Sequence, residues 1–359
     1  MESRPDKQCA ITDVVEITER EDLFQIVDNE QITEFSRAYG KDGFSSAASV
    51  LKSTGVVHRR ICRPGINALD IGLAVAEKLQ KTYGFSWSDC PAIGLSHSHA
   101  EPDSLHWLAN QLSDELGIDR EKFFGINFGC VGFLELLRLG VQEFNAKGGP
   151  VPMLTVEVPD GWHDASDRSF CGIVSSGATG SLLHDGPGHK VQRVAVVAEE
   201  VPPAPNMPLE DLFWTETNEV LNFYGQPEMR TVMRMNGGQV FLSGTELMIG
   251  AFRKAFASIT DPTRRVLVAS HQPSGKMLRA MISVLRTEFP NIEFLNNLSH
   301  HANSISSTIP TVLSHLESIL ERSGSDPVQP GDYVLLPAAG ICMEWKATHL
   351  SQGWAVIEW

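Results

Sequence analysis

Short apolar runs alternate along the chain with stretches in which apolar residues recur every three or four positions. Val14–Ile17, Val56–Ile61, Ala92–Ser96, Phe123–Phe128, Met153–Val158 and Phe170–Val174 predict strands, and Ala68–Lys81, Ser104–Leu116 and Val131–Asn145 predict amphipathic helices between them. The pattern then starts again. Val191–Ala198, Val266–Ala269, Ile292–Leu295, Tyr333–Leu336 and Trp354–Ile357 predict strands; Leu242–Ile259, Gly275–Glu288 and Ser304–Arg322 predict helices. The turn-forming cluster Asp185-Gly186-Pro187-Gly188 separates the two series, so the expectation is an α/β fold of two halves, residues 1–187 and 188–359. One local theme recurs: strand Val266–Ser270 runs into His271 and then a helix, as strand Phe123–Phe128 runs into Cys130 and a helix. This order of elements predicts an internal pseudo-duplication.

Composition narrows the function classes. A chain of 359 residues with 42% apolar and 20% charged positions has enough apolar material for a large core. A formal charge of −15 with no basic block argues against nucleic acid or an anionic membrane surface as the main partner. Six cysteines are scattered without a CxxC pair, which favours reduced thiols in a cytoplasmic protein over a disulfide framework or a zinc site. Met1–Gln8 is polar, and no stretch approaches the ~18–20 apolar residues of a membrane span, so no membrane insertion is expected. His97-Ser98-His99 lacks a carboxylate or cysteine to complete a ligand set, and no metal is expected.

The chemistry-bearing candidate is Cys130. It closes the run Phe123–Phe128 and opens an amphipathic helix, where first-turn N–H groups favour thiolate over thiol, and Gly129 and Gly132 leave room for a substrate to reach the sulfur. Read alone, Cys130 is equally a small buried hydrophobe, His271 a helix cap or core histidine, and Asn303 an N-cap for the helix after it. His271 lies 141 positions downstream of Cys130 (271 − 130) at the matching junction of the second half, and Asn303 follows in a polar segment. Corresponding strand ends of two such halves face a common crevice.

Together these segments resemble beta-ketoacyl-ACP synthase III, a condensing enzyme of the thiolase superfamily. Cys130-Val131-Gly132-Phe133 is similar to its active-site turn, His271-Gln272-Pro273 to its histidine turn and Asn303–Pro310 to its asparagine segment, in the same order. The resemblance covers most of residues 45–359 and implies a thiolase-like fold, two pseudo-duplicated α/β halves in an αβαβα core, assembled as a homodimer. It implies that Cys130 takes an acyl group from a thioester and that the backbone N–H groups of Cys130 and of the Pro337–Ile341 loop, centred on Gly340, hold the oxyanion. His271 and Asn303 would then stabilise the enolate of a second thioester. No cofactor is implied beyond the phosphopantetheine of CoA or acyl carrier protein on which the substrates ride.

The departures are as informative. The family's CoA-using members have Trp and Arg where this chain has Ser49 and Ser53, which favours a carrier-bound acyl donor. Lys276 stands where the family has an arginine that meets the carrier, and Arg253 and Lys254 are candidates for the same patch. Glu101, 29 residues before Cys130 (130 − 101), occupies a position that is usually apolar. It is similar to the glutamate that the head-to-head condensing enzyme of the olefin pathway sends across its dimer interface. The favoured expectation is a ketosynthase of specialised metabolism that joins two acyl or polyketide thioesters, with Glu101 as base for condensation without decarboxylation. The alternatives are fatty-acid initiation with malonyl carrier protein, acyl transfer to a hydroxyl or amine, and a non-catalytic subunit of a heterodimer.

Overall fold

The computed structural model describes residues 1–5, 8–202 and 211–359. Its main sheet runs in the order Glu293–Phe294, Val266–Val268, Tyr333–Leu335, His349–Glu358, His189–Glu200, Ala10–Ile11, Gly177–His184, Val151–Glu157, Ile93–Ser96, Phe123–Ile126. Three parallel strands lie at each end, 293–294, 266–268 and 333–335 at one and 151–157, 93–96 and 123–126 at the other. In each half an antiparallel strand follows, 349–358 in one and 177–184 in the other. The sheet passes without a break through the turn near residue 187, because Ala10–Ile11 pairs with Leu183–His184 on one side and with His189–Lys190 on the other.

Two buried helical segments form the centre. Gly132–Lys147 buries Phe133, Leu134, Leu136, Leu137, Val141 and Phe144, and it shares one apolar cluster with Ile309, Val312, Leu313, Leu316 and Leu320 of the second segment. A helix that is apolar almost all round belongs in a core, and each such side chain taken from water contributes about 1.5–3 kcal/mol. Outer helices close the remaining faces: Ala68–Tyr83 and Asp103–Leu116 over the first half, Gly237–Phe256 and Gly275–Glu288 over the second. Central and outer helices thus sandwich the sheet in α and β layers.

Several expectations are corrected. Phe170–Val174 is not a strand. Asp167 starts a run of tight turns in which its carbonyl accepts from Phe170 and Cys171 N–H and that of Phe170 from Ile173 and Val174 N–H, so local bonds outcompete the β-branched residues. The helix expected over 304–322 is three pieces: a 3-10 turn at Ile305–Ser307 and helices Thr308–Ser314 and Leu316–Ser323, with His315 at the break. The helix expected from Leu242 starts at Gly237, where the Asn236 side chain accepts from Gln239 N–H. Strand His58–Cys62 pairs with Phe24–Asp28 outside the main sheet. An unanticipated hairpin, Phe213–Leu221 with Pro227–Met235, leaves the second half and packs over the first.

Candidate active site

Cys130 sits in a 3-10 turn, Gly129–Val131, just ahead of the first residue of helix Gly132–Lys147. Gly129 makes that turn possible. Its φ is +59°, and a Cβ there would run into the carbonyl oxygen of Ile341. The strand Ala338–Gly340 passes over the turn so closely that a Cβ on Gly340 would lie 2.8 Å from the Cys130 sulfur. Backbone groups of Ile341 and of Cys130 itself face the sulfur and favour its anion.

The thiol is nevertheless pushed up, to about 12, first by burial and then by the charge of Glu157. Desolvation thus opposes the thiolate that a helix start would favour. Glu157 ends strand Val151–Glu157 fully buried and accepts from Ser98 N–H at 3.1 Å, Ser98 Oγ at 3.0 Å and Ser306 Oγ. Burial raises its carboxyl to about 8, so it stands protonated at neutral pH. Sequence reasoning missed it; the signal was a lone carboxylate inside an apolar strand.

His271 is fully buried directly after strand Val266–Val268, its N–H bonded to the Pro337 carbonyl at 2.9 Å. Neither ring nitrogen has a hydrogen-bond partner among the described residues, and burial drives the imidazole down to about 3, which favours its neutral form. Asn303 is held by its oxygen: Oδ1 accepts from Ile305 N–H at 2.9 Å and Thr308 Oγ1 at 3.2 Å, while Nδ2 faces the Pro273 carbonyl at 3.5 Å. It therefore caps the following turn, as one sequence reading allowed, and the same bonds aim its NH2 at the histidine turn. Positive φ angles at Ala302 (54°) and Ile305 (52°) on either side show backbone held in a costly conformation around that side chain.

Cys130 and Asn303 line one cavity of about 290 Å³, together with Pro273 and Ser274 of the histidine turn. Its walls are largely apolar, with Trp162, Phe170, Val174, Met233, Met235, Ile305 and Met343. Two of these, Met233 and Met235, come from the unanticipated hairpin. Ser53, Thr54, Arg168 and Lys276 also line it, the Arg168 guanidinium 5.0 Å from the Phe44 ring centre. A thiol, cationic and hydroxyl groups and apolar walls thus share one cavity, a combination that suits a thioester arm.

The other expected residues are placed elsewhere. Glu101 is exposed in the loop before helix Asp103–Leu116, its N–H bonded to His99 Nδ1 at 3.0 Å, and it does not line the cavity of its own chain. Arg253 pairs with Glu288 at the far end of the helix that Lys276 begins, about 18 Å away at 1.5 Å per residue, and Lys254 bonds Gln352. Neither joins Lys276 in one patch. Arg279, which donates to the Lys52 carbonyl at 3.3 Å, is nearer to it and was not anticipated. His97 is committed to the Val156 carbonyl at 2.7 Å and Ser104 Oγ at 3.0 Å. Among the described residues no helix is long and apolar enough to cross a membrane.

No family model matches the chain. It is 25% identical over 309 residues to beta-ketoacyl-[acyl-carrier-protein] synthase III of Synechococcus elongatus, covering 84% of this chain and 88% of the relative. Among solved structures, a priming beta-ketosynthase of a polyketide biosynthetic pathway superposes with a TM-score of 0.74 at 18% identity over 99% of this chain and 97% of that one. OleA of Xanthomonas campestris gives 0.69 at 15% identity over 99% and 100%. The fold is that of these proteins, and the resemblance of the sequence to synthase III holds across the length of the chain. The likeness extends to OleA as a fold, without bearing on Glu101.

Proposed function

We propose that this relative of beta-ketoacyl-ACP synthase III is a condensing acyltransferase in which Cys130 holds an acyl group and attacks begin from a second thioester bound in the same cavity. The observation that carries the reading is the convergence of Cys130, Asn303 and the histidine turn on one largely apolar cavity that Arg168 and Lys276 also line.

Each group has a task its surroundings suit. The thiol is protonated at rest, so attack on the incoming thioester requires proton loss as the C–S bond forms, and the backbone beside Cys130 and Ile341 stabilises the charge passing to the carbonyl oxygen. The leaving thiolate takes up that proton, so the acylation balances. Neutral His271 and Asn303 donate hydrogen bonds to the carbonyl of the second thioester as it becomes an enolate, whose carbon attacks the acyl-cysteine and expels the Cys130 sulfur. A histidine held neutral by burial keeps an N–H for that oxygen at every working pH.

The substrates proposed are acyl or polyketide thioesters on an acyl carrier protein, in specialised metabolism. Ser49 and Ser53 leave no ring to stack on adenine, and Lys276 offers a cation to an acidic carrier. Glu101 serves as base for a condensation without decarboxylation if a second copy brings its loop to the cavity, since its own chain leaves it exposed. Malonyl-dependent initiation and transfer to a hydroxyl or amine are the competing chemistries. Intact-mass spectrometry after incubation with acyl-CoA and acyl-carrier thioesters is the test: a stable acyl adduct on the wild type, absent in Cys130→Ala, supports the reading, and no adduct from any thioester overturns it. Product mass then separates C–C bond formation from ester or amide formation.

A further inference from the structure

The chamber beside Cys130 is not lined by hydrocarbon alone. His163 lies in its wall between Trp162 and Phe170, with ring centres 4.2 and 4.4 Å away, and it is almost completely buried. Its Nδ1 lies 2.9 Å from the carbonyl oxygen of Pro159. A carbonyl only accepts, so Nδ1 carries the hydrogen and Nε2 is left with a bare lone pair. No donor among the described residues reaches Nε2. Burial holds the ring well below its ordinary range, at about 4, so that lone pair persists through neutral pH. The neighbouring indole Nε1 of Trp162 is already closed off from solvent, without a hydrogen-bond partner among the described residues.

A saturated acyl chain laid along this wall would seal Nε2 away from water without a bond, which costs about 1–3 kcal/mol. A hydroxyl is the smallest group that donates and accepts from one atom. We infer that the acyl group accepted beside Cys130 carries a hydroxyl on its chain, which donates to His163 Nε2. This makes His163 a specificity-determining residue that takes no part in bond formation, and the inference rests on the thioester-loading reading above.

The experiment measures the rate of Cys130 acylation by intact mass, using the full-length protein and thioesters of one chain length. One is saturated, and the others carry a hydroxyl moved carbon by carbon along the chain. The wild type is expected to load one hydroxylated isomer at least ~5-fold faster than the saturated chain, the lower bound for a lost buried partner. His163→Leu is expected to abolish that preference, and a cooperative thermal transition like the wild type's shows that the variant is folded. Should His163→Leu not fold, His163→Gln, which keeps an acceptor oxygen, is expected to retain part of the preference. Equal loading of every isomer by the wild type overturns the inference and leaves the condensing-enzyme reading intact. So does an equal loss on all thioesters in His163→Leu, since the imidazole would then serve the arm they share. Loading by none of them removes the reading on which the inference rests.

Discussion

The Cα of Gly340 lies so near Cys130 that a methyl group placed on it would be 2.8 Å from the sulfur and 2.5 Å from Cβ. The absence of a side chain at 340 is thus what lets the thiol and the Ile341 backbone share one space. Gly340→Ala is expected to cost about 1–3 kcal/mol by overpacking and to leave a folded protein. Acylation of Cys130 should fall ~100-fold or more, because the sulfur must leave its backbone partners. Thermal unfolding and adduct formation, measured on the same sample, check both halves; a variant that acylates normally contradicts the geometry.

Asn303→Asp separates the two ends of one side chain. The oxygen that accepts from Ile305 N–H and Thr308 Oγ1 is kept, and the NH2 is replaced by a second acceptor. Condensation should drop ~10²–10³-fold with acylation of Cys130 nearly unchanged. Equal loss in both half-reactions would show that Asn303 only supports the backbone.

Glu157 makes stability depend on pH. Its carboxyl is raised from 4.5 to about 8 in the folded protein, so between those values the folded state binds a proton that the unfolded state does not. Its contribution is fully present below about 4.5 and is lost as the pH rises toward 8. Glu157→Gln, neutral at every pH, is expected to flatten that slope in denaturant titrations. Above pH 8 it should also lower the Cys130 pKa, by removing a charge that raises it. An unchanged slope would show that Glu157 is not the group responsible.

Glu101→Gln tests the proposed base without altering the chain's own cavity. Condensation of unactivated acyl thioesters should fall ~10²–10⁴-fold, the range for loss of a general base, while malonyl or 3-oxoacyl thioesters react as before. Full activity on the unactivated substrate would leave Glu101 an ordinary loop residue.

Charge reversal at Lys276 should raise KM for carrier-bound donors about 5- to 10-fold and steepen no other parameter, an effect that added salt erases. Arg253→Glu, in a residue paired to Glu288 about 18 Å away along the helix, should leave that KM unchanged. The pair of variants, assayed side by side at low ionic strength, reads out where a carrier approaches.

The elements that were legible in the sequence are those whose partners are regular. The period of the Gly132–Lys147 helix and the apolar runs at 93–96 and 151–157 are set by a buried sheet and announce themselves. The breaks at Asn303–Thr308 and Asp167–Val174 depend on single side-chain and carbonyl acceptors, and nothing in periodicity reports those. Cys130 and His271 were found because strand ends followed by helices carry them, and Asn303 because its polar segment resembles one in a known family. Glu157 and His163 were not, since their chemistry comes from burial: a carboxyl and an imidazole acquire it only from neighbours distant in the chain. Arg253 shows the reverse error, where a cation assigned to a patch is neutralised by Glu288, 35 residues on.

The double pairing of Ala10–Ile11 has a consequence for how the molecule is made. That strand is translated 172 residues ahead of its first partner, at 183–184 (183 − 11), and its second, at 189–190, follows only after that. Until 189–190 appears, one edge of Ala10–Ile11 has no neighbour. The nascent first half therefore carries an open β-edge, and closing it is a late step, which makes this seam the place where chaperone dependence and misassembly between copies should concentrate.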